Sequence, residues 1–390
     1  MKGMLRPVGS RVPAPDSGTG VSLPWDTNYH TWTMGSGTQA LSAAVLLAIS
    51  RSKVKNSTPE VVLPAYGCPD LVTAVVAQGA RPVLVDLLPD SPFMSYELLS
   101  RALSDATVAV IAAGFLGMPE QLSLLASLCR ERDVWLIEDA AQCFPPDCAR
   151  EPIADCAVLS FGRGKPINLM GGGALLVRAD HSASAADVLF GLPEETLNIG
   201  WKWKAKRLVF NFLLGRFGYG LLRRLPFLGL GTTVYKPLLD LHRLQLPGGL
   251  LLAGIRGASE RSDIAADYVR ELGFLAQRGW RAFMAEELSG GRRAGQVTLR
   301  YALLAPDRGI RDKAVDALND VSIGANAFYG APLPEIEGVF DILAGSAGEC
   351  PNAKSFADRL VTLPSHEDVT GADASLIAAT LDKITVQHKK

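Results

Sequence analysis

Apolar residues along this chain come in short runs, each followed by a stretch of helical periodicity. Val61-Val62-Leu63-Pro64, Arg81–Asp86, Val108–Ala113 and Val134–Glu138 read as strands. Leu41–Ser50, Asp70–Gln78, Tyr96–Ser104 and Glu120–Arg132 read as helices. Strands that alternate with helices at this spacing predict βαβ units and a mainly parallel sheet. The pattern breaks between residues 190 and 250. After Pro247-Gly248-Gly249 the spacing predicts a helix over about 254–290, a strand over Val297–Leu304, a helix over Arg311–Asn319 and a closing helix over Ala372–Ile384. The expected organisation is an irregular arm (1–30), a large α/β domain (31–247) and a smaller C-terminal α+β domain (248–390).

Composition narrows the function. Of 390 residues, 48% are hydrophobic, enough for two domains with substantial cores. A net charge of −1 gives no global field toward nucleic acid, so none is expected as a partner. The six cysteines form no CxxC pair and only five histidines accompany them, so no metal site is expected. Cys129 and Cys156 sit in apolar runs and read as buried thiols. The start, Met1–Pro7, lacks the apolar core of a secretory signal, and no apolar run is long enough to span a bilayer. The expected compartment is the cytoplasm.

Chemistry concentrates between Val134 and Val177. Asp139 closes an apolar strand, Ser160 closes the next, and Lys165 follows among Gly162, Gly164 and Pro166. A glycine run, Gly171-Gly172-Gly173, opens a third strand. Upstream, Gly35-Ser36-Gly37-Thr38 feeds a helix N-terminus, where backbone N–H groups bind phosphate. Each feature has a plain structural reading: an N-cap loop, a capping aspartate, a solvated lysine. Their joint order is what pyridoxal 5'-phosphate requires, namely an acid for the pyridine nitrogen, a serine for the phosphate and a lysine for the Schiff base. Glu138 would point the opposite way from Asp139 in a strand.

These residues resemble the DegT/StrS-type sugar aminotransferases, which are pyridoxal-phosphate enzymes of fold type I, the aspartate-aminotransferase-like fold. Ser36-Gly37-Thr38-Gln39-Ala40-Leu41 is similar to the family's phosphate loop, Glu138–Gln142 to its Glu-Asp-Ala-Ala-Gln, and Ser160–Lys165 to its Ser-Phe-x-x-x-Lys. Leu363-Pro364-Ser365-His366 fits its Leu-Pro-x-His. The resemblance implies that Gly37, Thr38 and Ser160 bind the phosphate, Asp139 the pyridine nitrogen and Gln142 the 3-hydroxyl side, with Lys165 and Asp139 catalytic. The position of the ring-stacking aromatic falls at Cys68, with Tyr66 near. The family's His-Tyr reads Phe328-Tyr329, and its Asn-x-Arg and His-Gly segments are missing.

The activity so implied is amino transfer from an amino acid, glutamate by family likeness, to a keto acceptor such as a keto-sugar in polysaccharide or secondary-metabolite biosynthesis. A homodimer is implied in the same way. In the family's dehydratases a histidine replaces the lysine, so Lys165 favours transfer. A dehydratase or lyase, or a fold kept for binding, are the alternatives. The segment 196–239 holds Lys202, Lys204, Lys206, Arg207, Arg216, Arg223, Arg224 and Lys236 with no carboxylate, interleaved with aromatics. The helical wheel separates Trp203 and Phe210 from a Trp201/Leu208/Phe212 stripe. The preferred reading is an excursion at the substrate site or a dimer contact with buried aromatics. Contact of Trp201–Arg224 with a membrane surface is the other.

Overall fold

A computed structural model describes residues 3–16, 23–55, 57–223, 233–261, 264–285, 296–343 and 348–387. Nine strands form the main sheet: β1 (Tyr29–Met34), β2 (Glu60–Pro64), β3 (Arg81–Val85), β4 (Thr107–Ala113), β5 (Trp135–Asp139), β6 (Cys156–Ser160), β7 (Gly173–Arg178), β8 (Glu194–Thr196) and β9 (Arg243–Gln245). Their order is β3-β2-β4-β5-β6-β7-β1-β9-β8. The strands from β3 to β6 pair in parallel, β7 runs against β6, and β1 against β7. The apolar runs of β2 and β4 are buried almost throughout, as parallel strands covered on both faces require.

Side-chain alternation decides where the chemistry points. Along β5, Trp135 and Ile137 pack on the same side as helix α1 (Gly37–Arg51), and Leu136 packs on the other side. Along β6, Cys156 and Val158 share the α1 side, while Ala157 and Leu159 face the opposite layer. Asp139 and Ser160, next in each series, therefore fall on the α1 face. Helix α1 is rich in small buried residues (Ala40, Ala43, Ala44, Ala48), which let it lie close over the sheet. Helices α2 (Asp70–Val76), α3 (Tyr96–Ala102) and α4 (Leu122–Glu131) supply the crossovers between parallel strands.

The predicted helix over about 254–290 is corrected. Helix α8 (Gly248–Ser259) is followed by α9 (Ala265–Leu272) and a tight turn over Gly273–Arg278. Gly279, at φ 81°, ends that turn in the left-handed region that a helix cannot continue through. Residues 262–263 and 286–290 of the predicted helix lie outside the described residues. α8 packs on the main-sheet side: a Cβ on Gly254 would sit 2.8 Å from Ile167 Cγ2. A second core gathers around the antiparallel pair β10 (Arg300–Leu304) and β11 (Leu360–Pro364) with the helices Arg308–Asp320 and Gly371–Gln387. Tyr66, Phe115, Leu116 and Met118, from the site end of the main sheet, belong to that same core.

In the excursion, α6 (Trp201–Leu214) and α7 (Arg216–Leu222) precede β9, with α5 (Ser182–Leu189) before them. The N-terminal arm runs between these helices and the second core. Arg6 is buried and pairs with Glu367 at 2.8 Å and with Asp368. His366 Nε2 lies 2.9 Å from the Arg6 carbonyl, and its Nδ1 accepts from the Asp368 N–H at 3.3 Å. Among the described residues no helix is long and apolar enough to cross a membrane.

Candidate active site

The site forms where the C-terminal ends of β5 and β6 meet the first turn of α1, which is where open α/β sheets place their ligands. Ser36 caps α1: its Oγ accepts from the Gln39 N–H at 3.1 Å. Gly37 follows and abuts Ser160. A Cβ on Gly37 would lie 2.5 Å from Ser160 Cβ and 2.7 Å from its Oγ, so only glycine lets the helix start and the serine come together. The glycine run before β7 serves the same approach. A Cβ on Gly173 would lie 2.6 Å from the Ser36 carbonyl oxygen, and Gly172 bridges to Ser36. Thr38 Oγ1 donates to Asp70 at 2.8 Å. The predicted N-cap and the predicted phosphate cradle are thus the same four residues, with the cap served by Ser36.

Asp139 ends β5 and accepts the Ala141 N–H at 2.9 Å. Burial pushes its carboxyl up, and Asp70 adds to the rise. The Ala141 hydrogen bond and the Lys165 ammonium pull it back down. A buried carboxylate so placed gains from a cationic partner, which a protonated pyridine nitrogen supplies. Glu138 points to the opposite face, as its position predicts, and accepts the N–H groups of Asp147 at 2.6 Å and Cys148 at 3.0 Å. Burial raises it to about 7.

Lys165 is half-buried in the loop between β6 and β7, where Gly164 takes φ 79° and the Lys165 N–H donates to the Gly162 carbonyl at 3.3 Å. Cys68 is its neighbour. Burial raises that thiol to about 12, Asp70 and Asp139 raise it further, and Lys165 lowers it. Cys68, Asp139, Asp70 and Lys165 are thus electrostatically coupled to one another. Gln142 accepts the Leu116 N–H at 3.2 Å and donates through Nε2 to the Tyr329 hydroxyl at 2.7 Å.

Tyr66 stands apart from this group. Its ring is buried edge-on to Phe115, Tyr329 and Phe356, at centroid distances of 5.9, 5.5 and 5.2 Å. It closes the seam between the two cores and reaches the site through Tyr329. Two groups escaped the sequence reading. Asp70 opens α2 and orients Thr38, and nothing in its local sequence singles it out. Arg300 is buried on β10, donates to Asn326 at 2.6 Å and Thr362 at 3.1 Å, and stacks over Phe328 at 4.8 Å. No carboxylate among the described residues pairs with it, and its Nε has no acceptor. A lone charge inside the run Val297–Leu304 was the available signal.

The glycine-serine cradle, the buried acid and the adjacent lysine fit pyridoxal phosphate. Comparison with known proteins bears on the same residues. Residues 26–201 and 256–382 match the DegT/DnrJ/EryC1/StrS aminotransferase family. The chain belongs to that family. The unmatched interval, 202–255, carries α6, α7 and β9. A dTDP-4-dehydro-2,3,6-trideoxy-D-glucose 4-aminotransferase of Saccharopolyspora spinosa is 32% identical over 124 residues, which is 31% of this chain and 32% of that protein. The chain thus matches about a third of that relative's length. PseC of Helicobacter pylori, an aminotransferase involved in pseudoaminic acid biosynthesis, superposes with a TM-score of 0.67 at 15% identity, covering 92% of this chain and 87% of that one. Spr1654 of Streptococcus pneumoniae, a sugar aminotransferase by its description, was solved in a PMP form. It gives a TM-score of 0.61 at 17% identity over 93% of this chain and 89% of that one. These structures share the type I fold of the family's pyridoxal-phosphate enzymes.

Proposed function

We propose that this chain is a pyridoxal-phosphate-dependent aminotransferase that moves an amino group from an amino acid, glutamate by family likeness, to the keto group of a sugar destined for polysaccharide or secondary-metabolite biosynthesis. The observation that carries this reading is Lys165 beside Asp139 and Cys68, with the Gly37–Ser160 cradle next to them. A lysine at this position can shuttle a proton, where a histidine would mark the family's dehydratases.

Bound cofactor supplies an electron sink for the charge left when the donor's Cα loses its proton. Gly37, Thr38 and Ser160 hold the phosphate at the positive end of α1. Asp139 would keep the pyridine nitrogen protonated, and Gln142, held by the Tyr329 hydroxyl, would bind the 3-hydroxyl group. Lys165 would hold the cofactor, and its Nζ would serve as the general acid and base that moves the proton. Cys68, a neutral thiol, occupies the place of the stacking aromatic.

The same reading includes a homodimer acting in the cytoplasm, and a division into an arm (1–30), a cofactor domain (31–247) and a C-terminal domain (248–390), with α8 leaning on the cofactor domain. The test is a single turnover. Protein loaded with pyridoxal phosphate and mixed with glutamate should convert to the pyridoxamine form, and a nucleotide-linked keto-sugar should restore the starting spectrum. A loaded protein that no amino acid converts sinks the proposal.

A further inference from the structure

α6 carries two apolar faces, and only one is used inside the molecule. The inner face holds Trp203 and Phe210 against the N-terminal arm. Arg207 Nη1 and Asn211 Nδ2 donate to the Val12 carbonyl at 3.2 and 2.9 Å, and Asn211 Oδ1 accepts the Val12 N–H at 2.8 Å. At the far end, Arg6 Nη1 donates to the Leu214 carbonyl at 2.8 Å, and Arg216 of α7 pairs with Asp373 at 2.6 Å. The outer face is a second stripe. Trp201 is 75% exposed, Leu208 62%, Val209 59% and Phe212 62%, and on α7 Phe217 is 51% exposed. Trp201, Ala205, Leu208 and Phe212 follow helical spacing and line one side of the rod. Within the single chain Trp203 is buried and Phe210 half-buried, while Trp201, Phe212 and Phe217 face outward. Arg224 and Phe227 lie outside the described residues.

Charge says what such a face fits. Lys202, Lys204 and Lys206 are exposed on α6 itself, and residues 196–239 contain no carboxylate. The carboxylates that α6 and α7 do meet, such as Asp373, lie on their inner side. A two-fold axis passing through this patch would bring like charges together. An anionic surface would receive it without that conflict, with apolar side chains at the acyl boundary and lysines reaching the headgroups. All of the stretch but Trp201 falls within residues 202–255, which the family match leaves unaligned.

We propose that the outer face of α6 and α7 docks the enzyme on an anionic lipid bilayer surface.

The test is flotation of the full-length protein with vesicles of phosphatidylcholine alone and of phosphatidylcholine containing phosphatidylglycerol. The wild type should float with the anionic vesicles at least tenfold better than with the neutral ones, and raised salt should release it. Two variants separate the contributions. Trp201→Ser/Phe212→Ser removes apolar contact, and Lys202→Glu/Lys204→Glu/Lys206→Glu reverses the charge. Both should lose flotation while keeping wild-type mass by light scattering and wild-type cofactor binding. Absence of wild-type flotation on anionic vesicles overturns the proposal. So do variants that float as well as wild type. A fall in oligomeric mass in the apolar variant, with flotation unchanged, assigns the face to a second copy instead.

Discussion

Gly37 and Ser160 come so close that a methyl group on the glycine would stand 2.5 Å from the serine's Cβ. The helix start and the strand end are thereby locked into one cradle. Gly37→Ala should push the two apart and weaken retention of pyridoxal phosphate by tenfold or more. Overpacking of this kind costs about 1–3 kcal/mol. Equilibrium dialysis against the free cofactor measures the loss, and an unchanged far-ultraviolet circular dichroism spectrum locates it in the cradle. Wild-type retention would mean that the phosphate sits elsewhere.

Asp139→Asn keeps an oxygen for the Ala141 N–H, so the local turn should survive. What it removes is the negative charge opposite the pyridine nitrogen. Turnover should fall on the order of 100-fold or more, as for the loss of one preorganised electrostatic partner. A steady-state assay with the cofactor saturating separates this from weaker binding. Glu138→Gln, on the other face of the strand, should leave turnover within a few-fold of wild type.

Lys165→Ala should remove both the covalent hold on the cofactor and the proton carrier. The expected rate loss is on the order of 100- to 10,000-fold, the range for a general acid–base group. The cofactor should still bind non-covalently through Gly37, Ser160 and Asp139. Borohydride reduction followed by peptide mapping should label Lys165 in the wild type and nothing in the variant.

His366 makes the arm contact depend on pH. Its Nδ1 accepts from Asp368 and its Nε2 faces the Arg6 carbonyl, so the ring is neutral with its hydrogen on Nε2. Burial, reinforced by Arg6, lowers it to about 4. Between about 6.5 and about 4 the unfolded chain takes up a proton that the folded chain refuses, so stability falls as pH falls through that window. The loss should be on the order of 3 kcal/mol across the full window. Glu120 and Glu138, both raised to about 7 by burial, act with the opposite sign, since the folded chain holds their protons as the unfolded chain releases them. The comparison that isolates the histidine is therefore wild type against His366→Asn, by urea unfolding from pH 7 to pH 4.5. Parallel stability curves would remove His366 from the account.

The parallel half of the sheet was legible because its strands are continuous apolar runs bounded by turns, and Asp139 and Ser160 stood out as candidates because each ends such a run. The helix over about 254–290 was misread for want of a local signal. Gly273 and Gly279 sit in a pattern that is otherwise helical, and only the left-handed backbone at Gly279 marks the stop. Tyr66 and Cys68 are two residues apart, and the sequence could not tell which of them turns toward Lys165 and which toward Phe356. α6 is harder still. With apolar residues on two sides, its wheel gives two stripes, and the contacts of Val12, nearly 200 residues away in sequence, decide which one is covered.

Glu138 and Asp139 differ by one methylene group, yet one caps the turn at Asp147 and Cys148 while the other faces the cofactor cradle. Side-chain chemistry does not make that choice. Pairing does: Ala113 beside Asp139 on one flank and Val158 on the other fix which acid turns toward α1. A slip of a single residue in this strand would exchange the two carboxylates. Which acid faces the cradle is thus stored in backbone hydrogen bonds, and an insertion or deletion within β5 would reassign it without altering either residue.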